Sequence, residues 1–312
     1  MDLPFIDGPK LERVLTWRVV IGSLEAALGS GAAPGNTPPR SVASVGSGQI
    51  LLMPGEVGDD VGVKIVSIAP GNSARGLARI QGVHIVFDGD TLRPRALLDA
   101  ATLTLRRTAG LSALAVRHLA PEVASSLLVF GTGPQALAHA GSINEVRPLT
   151  EVVVVGRRPA AVDAMVAHMK VLGLPARAGT AADVAHVDVV ACCTSATTPL
   201  FASSLLRREA CVVAIGSHEP TAREVDTDLV AHATVVVETR ESALRQAGDI
   251  MCAVGDGVPE EDAITADLAQ LVRGEVHPAS ERPRLFKGVG EAWSDVVIAA
   301  AAVQRVLQRE AG

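Results

Sequence analysis

The sequence predicts an α/β protein, in which a doubly wound parallel sheet is flanked in the chain by the parts of a discontinuous α+β domain. Three observations carry that expectation. A short apolar run at residues 127–130 breaks into Gly131-Thr132-Gly133, followed by Ala136 and an alanine-rich stretch of helical spacing. From there to residue 286, short β-branched runs alternate with helix-like stretches. Ahead of it, strand-like segments succeed one another with only glycine and proline turns between them.

In chain order, residues 17–28 form an amphipathic helical pattern, and a loop holding Gly35, Pro38 and Pro39 follows. Residues 50–53, 62–68 and 83–88 read as strands, with turns such as Pro70-Gly71-Asn72 between them, so an antiparallel or mixed sheet is expected. A helix over 96–119 leads to the glycine turn. Gly131 permits the tight strand-to-helix turn, Gly133 lets the backbone approach a pyrophosphate, and Ala136 keeps the helix close to the strand. The helix N-terminus then offers N–H groups to the anion. A second strand at 151–156 arrives at the distance expected of a βαβ unit of ~30 residues, so the G-x-G-x-x-A turn reads as a dinucleotide-binding Rossmann fingerprint. Continuous apolar runs at 152–155, 187–193, 211–215 and 234–238 suit parallel strands buried on both faces, with helical stretches at 160–172 and 180–185 between them. Residues 291–308 are helical again and are expected to return to the first domain. The expected domains are residues 1–120 with 291–312, and residues 121–290.

Composition narrows the function. The chain has 312 residues, a net charge of −6 and no basic run, which argues against nucleic acid as the main partner. Tyrosine is absent, which removes mechanisms that need a phenol as acid or base. No apolar run approaches the ~20 residues of a membrane span, and the first residues lack the order of a signal peptide. Cys192, Cys193, Cys211 and Cys252 form no C-x-x-C; the first three lie in apolar runs and read as buried free thiols, which fits a reducing cytoplasm. The histidines show no metal-binding spacing, so no metal is expected.

Basic residues mark the substrate side. Lys64 stands inside an apolar strand, Arg107 lies on the helix approaching the fingerprint, and Arg40 closes the loop TPPRS. Three cations in the domain that must face a nicotinamide ring suggest an anion pocket. At these residues the sequence resembles the ornithine cyclodeaminase/mu-crystallin family. The matching segments are PPR at Arg40, LLMPG at Met53, VKIVSIAPGNSARGL from Val63, LTLRRTAGLSALAVRHLA from Leu103, the fingerprint VFGTGPQALAHA, and LFKGVGEAWSDVV from Leu285. They run in order from about residue 36 to 300. The resemblance implies that Arg40, Lys64 and Arg107 bind a substrate carboxylate, with Lys64 beside the reacting carbon, and that the first domain dimerises. An Arg fork holds a carboxylate in two parallel bonds, and a desolvated lysine near other cations can serve as proton donor. It further implies that Pro134, Gln135 and Thr194 approach the cofactor, and that Gly216, Gly288 and Val289 lie by the nicotinamide or substrate. Asp295 is read as a residue that caps or orients the last helix.

Two departures from the family refine this. The cyclodeaminases carry an aspartate in a G-G-D segment that handles the substrate amine; here the run is AIGSHEP, with His218 at that position. A histidine there can act as an acid or base, or stand as a polar loop residue. The departure favours the reductase branch. The second strand ends in Gly156-Arg157-Arg158 rather than in an acidic residue for the adenosine ribose, which favours a 2′-phosphate and hence NADP(H), with NAD(H) possible. The expected activity is NAD(P)H-dependent reduction of a small 2-imino acid, cyclic or linear, such as a ketimine or pyrroline-2-carboxylate. Ornithine cyclodeaminase and a non-catalytic NADP-dependent small-ligand binder are the alternatives.

Overall fold

The computed structural model describes residues 3–35 and 37–310. The chain divides into two compact units, Met1–Arg107 with Glu291–Gly312, and Thr108–Gly290. Its order is β1 (Phe5–Ile6), α1 (Gly8–Val14), α2 (Trp17–Gly29), β2 (Ser41–Val45), β3 (Gly48–Val57), β4 (Asp60–Ile68), β5 (Ile80–Asp88), β6 (Pro94–Asp99) and α3 (Ala100–Leu119). Then follow β7 (Ser126–Phe130), α4 (Pro134–Val146), β8 (Glu151–Val155), α5 (Pro159–Val171), β9 (Ala176–Ala178), β10 (Val189–Cys192), β11 (Cys211–Ala214), α6 (Thr227–His232) and β12 (Thr234–Val237). The chain ends with α7 (Arg240–Gln246), α8 (Gly248–Gly255), β13 (Ala266–Asp267), α9 (Leu268–Val272), β14 (Arg284–Lys287) and α10 (Ala292–Glu310). The unit boundary falls inside α3, upstream of the expected break at residue 120. Among the described residues no helix is long and apolar enough to cross a membrane.

The first unit holds a six-stranded mixed sheet in the order β1-β6-β5-β4-β3-β2, antiparallel except where β1 runs beside β6. Alternation along β3 decides its faces: Leu51, Met53, Gly55 and Val57 are buried while Leu52, Pro54 and Glu56 are exposed. The buried face packs against α10, and Gly55 is what lets the helix approach, since a Cβ there would stand 3.1 Å from that of Ala292. The cross-strand register places Met53, Lys64, His84 and Leu98 in one row on this face. The first two helices start on side-chain caps, with Asp7 accepting from the Lys10 N–H and Thr16 from that of Val19.

The helix expected over 96–119 begins at Ala100 instead; the residues before it form β6. The run ALLDAATLTL satisfies either periodicity, and Asp99 settles the break by accepting the Thr102 N–H at 2.7 Å, as an N-cap does.

The second unit is an eight-stranded, all-parallel sheet in the order β13-β12-β14-β11-β10-β7-β8-β9. Its central strands are buried on both faces, which explains the uninterrupted valine runs. The chain leaves β7 toward β8 and β9, then returns to β10 on the other side. The carboxyl ends of β7 and β10 therefore flank the topological switch point, where ligands of doubly wound sheets bind. Beyond the five strands expected, β9, β13 and β14 complete the sheet, and β14 inserts between β11 and β12.

Candidate active site

In the first unit, a strand, two helices and a cross-strand neighbour build one buried charged cluster. Lys64 on β4 is 2% exposed, and its Nζ lies 2.7 Å from Oδ2 of Asp295, which is fully buried in the first turn of α10. Arg107 on α3, also buried, donates from Nε to Oδ1 of the same carboxylate at 3.1 Å. One carboxylate thus holds two cations, so the cluster carries one net positive charge, the complement of a small carboxylate ligand. Asp295 does lie where it can orient the helix, but its carboxylate is committed to Lys64 and Arg107, a role the sequence reading missed.

The electrostatics follow from burial. Desolvation pushes the Lys64 amine down to about 8; Asp295 opposes the shift, while Arg107 and half-buried Arg40 add to it. Burial alone would raise the Asp295 carboxyl, but Lys64 and Arg107 outweigh it and hold the group below the usual carboxylate range. Two of the expected substrate residues, Arg40 and Arg107, are therefore close enough to the third, Lys64, to act on its amine. His84 belongs to the same cluster and was not anticipated. It is fully buried, its two ring nitrogens have no hydrogen-bond partner among the described residues, and desolvation lowers it to about 4.

The second unit carries the expected dinucleotide residues on its carboxyl edge. Gly131 ends β7 at φ +118, and a Cβ there would stand 2.5 Å from the Cys193 carbonyl oxygen, so the turn requires glycine. Gly133 differs: a Cβ there would meet nothing within 4 Å, which leaves the backbone open to a ligand. It is also the N-cap of α4, and no side chain caps that helix; Pro134 follows at its first turn. The helix after β8 behaves alike, with Arg158 as its N-cap, no side-chain cap, and Gly156, Arg157 and Arg158 all exposed. An uncapped N-terminus beside an open glycine, as at Gly133, suits a pyrophosphate. The Oε1 of Gln135 is buried and lacks a hydrogen-bond partner among the described residues. These residues fit a dinucleotide.

Three buried carboxylates, none singled out from sequence, fix the loops that follow β10, β11 and β14. Glu224 accepts from Thr194 N at 2.9 Å, Thr194 Oγ1 at 2.7 Å and Gly216 N at 2.7 Å, tying two strand ends together. Gly216 must be glycine, because a Cβ would run into the Thr194 carbonyl and the Glu224 carboxylate. Asp249 accepts from Ser217 Oγ at 2.5 Å and pairs with fully buried Lys287 at 2.8 Å, while Lys287 also donates to the Ser217 carbonyl at 2.6 Å. Burial works against the Asp249 charge, yet Lys287 and its hydrogen bonds hold the carboxyl low. Glu238 accepts from Val289 N at 3.0 Å and Gly290 N at 2.8 Å, shaping the turn at Gly288. Val289, expected beside the substrate, packs its side chain into the core of this unit. His218 follows the anchored Ser217, is exposed, and lies 3.3 Å from the Gly216 carbonyl oxygen through Nδ1. Of the thiols expected to be buried, Cys192 and Cys211 are, and Cys193 is half-buried.

Comparison with known proteins bears on the family and the fold. The family model described as "Ornithine cyclodeaminase/mu-crystallin family" matches residues 10–310. A Delta(1)-pyrroline-2-carboxylate reductase of Bacillus cereus is 33% identical over 270 residues, spanning 84% of this chain and 83% of that protein. The Delta(1)-pyrroline-2-carboxylate/Delta(1)-piperideine-2-carboxylate reductase of Azospirillum brasilense is 30% identical over 315 residues, spanning 99% and 98%. Among solved structures, the Thermococcus litoralis Delta(1)-pyrroline-2-carboxylate reductase in complex with NADH and L-proline matches with a TM-score of 0.93 at 27% identity, covering 99% of this chain and 98% of that one. The chain is a member of the ornithine cyclodeaminase/mu-crystallin family.

Proposed function

We propose that this protein is an NAD(P)H-dependent reductase of small cyclic 2-imino acids, with pyrroline-2-carboxylate and piperideine-2-carboxylate as the leading substrates. The observation that carries the reading is the buried Lys64–Asp295–Arg107 cluster, in a chain whose relatives include reductases of these compounds. Arg107 and Arg40 take the substrate carboxylate; Asp295 engages Nε of Arg107, and the Nη1–Nη2 edge is the one we assign to the ligand. Lys64 gives its proton to the imine nitrogen, for which an amine titrating at about 8 is well matched near neutral pH. Bound reduced nicotinamide supplies a hydride to C2. Gly131, Gly133, Pro134 and Gln135 hold the pyrophosphate end, and Thr194, Gly216 and Gly288 border the nicotinamide. His218 stands where the cyclodeaminases carry an aspartate, so no negative charge at that position receives a substrate ammonium group, which supports reduction over ornithine cyclisation.

Arg157 and Arg158 support NADP(H) as the preferred cofactor. Both are exposed after β8 and no acidic side chain follows that strand directly. NADPH oxidation with pyrroline-2-carboxylate should be rapid and ammonia release from ornithine negligible. NADPH should bind more tightly than NADH, and Arg157→Ala should narrow the gap by about 1.5–3 kcal/mol, the worth of a charge-assisted contact. Rapid proline formation from ornithine would reverse the functional reading, and equal affinity for NADH the cofactor assignment.

The sheet of the first unit supports a homodimer. On the face away from α10, Phe5 and Leu52 are exposed, at 51% and 39%, beside half-buried Val63, Ile65, Val83 and Ile85. A contiguous apolar sheet face of this kind marks an association surface. Sedimentation should report a dimer, and Ile65→Asp should dissociate it; a wild-type monomer at micromolar concentration would count against the assembly.

A further inference from the structure

One buried titratable group, His84, is left unused by the reaction as described. It lies directly across from Lys64 in the β4–β5 register, on the same face. Its ring leans along the strand rather than toward Lys64: Nε2 fills the space above Gly62, so closely that a Cβ on Gly62 could not be accommodated. Residues 60, 62 and 64 share one face of β4, and about 13 Å of strand separates the first from the last. At the far end, half-buried Asp60 lines an open cavity of about 700 Å³, together with Val57, Val86, Arg95, Ala300 and Gln304. Burial raises the Asp60 carboxyl, against the pull of Arg95. Asp60 and Lys64 thus stand on one face of β4, and the ring of His84 reaches over from β5 to lie above Gly62 between them.

We propose that His84 is a proton relay that recharges Lys64 from the cavity at Asp60, through the gap left by Gly62. This rests on the reading of Lys64 as the proton donor of an imine reduction. Each turnover consumes one proton: C2 gains the hydride, the imine nitrogen gains a proton from the Lys64 ammonium, and a neutral amine remains. Water in the cavity, exchanging with the Asp60 carboxyl, places a proton on Nε2. The imidazolium passes the proton on its other nitrogen to the Lys64 amine through a bridging water, and the ring returns to its neutral form.

The groups facing His84 make this timing favourable. These are Lys64 on β4 and Asp295 on α10, whose carboxylate also holds Arg107; Asp60 stands farther along β4, at the cavity. The Lys64 charge opposes a charge on His84, while Asp295 favours one. When Lys64 has given up its proton the opposition disappears and the attraction of Asp295 remains, so His84 accepts a proton most readily when Lys64 needs one. A buried imidazole whose two nitrogens have no hydrogen-bond partner among the described residues is costly as packing alone, and a relay gives those nitrogens a use.

The test uses His84→Phe, which keeps a buried ring without nitrogens, with His84→Gln as a smaller change should that variant fold poorly. In variants with unchanged melting temperature, kcat for pyrroline-2-carboxylate at pH 8–9 should fall about tenfold while KM holds, and the solvent deuterium effect on kcat should rise. Asp60→Asn should move both in the same direction by less. A stable His84→Phe with unchanged kcat and isotope effect would overturn the relay while leaving the reductase reading intact, and a change in KM alone would reduce His84 to packing. Failure of the wild type to reduce any imino acid would overturn the reductase reading instead. Exchange of the His84 ring N–H with water in the nitrogen-15-labelled protein then decides the path by itself. Exchange within seconds supports it, and protection for hours overturns it.

Discussion

Replacing Lys64 by methionine should lower kcat/KM for pyrroline-2-carboxylate by about 10²–10⁴-fold, the usual worth of a positioned general acid, while leaving dinucleotide affinity unchanged. The side chain is 2% exposed and its ammonium is held by Asp295, whose other carboxylate oxygen is taken by Arg107. The unmutated protein should show the matching pH dependence. Its reactive form is the protonated amine, which titrates at about 8, so the rate should be level below that pH and fall about tenfold per unit above it. Lys64→Arg should not rescue turnover, because a guanidinium keeps the charge but does not release a proton in this range. Initial rates across pH 6–10, with cofactor affinity measured by fluorescence quenching, check both expectations. A Lys64→Met enzyme with full activity would transfer the proton-donor role to another group.

Lys64 could be found from sequence because a cation interrupting an apolar strand is conspicuous, and Arg107 because the helix bearing it leads into the fingerprint. Their partner could not. Asp295 lies 188 residues from Arg107, in a helical run where an acidic side chain in the first turn has an ordinary explanation. His84 is hidden for a different reason. In the strand GVHIVFD it alternates as a solvated polar residue would, and only the β4–β5 register turns it onto the buried face beside Lys64. The parallel sheet was legible wherever burial on both faces left unbroken valine runs. It was not legible at β9 or β13, which are three and two residues long, too short to show any period. The stapling carboxylates illustrate the same limit. Glu224 occurs among polar neighbours in sequence, and Glu238 and Asp249 stand at the edges of apolar runs, where an acid reads as a solvated end; their burial depends on amides and a lysine brought up by other strands.

Removing the Asp295 carboxylate should have the largest effect on the fold. Asp295→Ala leaves Lys64 and Arg107 buried without a counter-charge, and breaking a buried pair in this way costs about 3–5 kcal/mol. The isosteric Asp295→Asn separates charge from shape. It keeps the helix contact but removes what raises the Lys64 proton affinity, so the alkaline limb of the rate profile should move below pH 8. The sign of the stability effect follows from the depressed carboxyl. A carboxyl whose folded pKa lies below its ordinary value of 3.8 stabilises the fold above that value, and loses the contribution as pH falls through the folded one. The stability gap between wild type and Asp295→Asn should therefore be full at neutral pH and close in strong acid. Urea unfolding at pH 7 and pH 3, with the rate profile of the same variant, tests both halves. A gap that persists unchanged into acid would mean that Asp295 contributes through packing rather than charge, and an unshifted alkaline limb would mean that it does not govern the Lys64 amine.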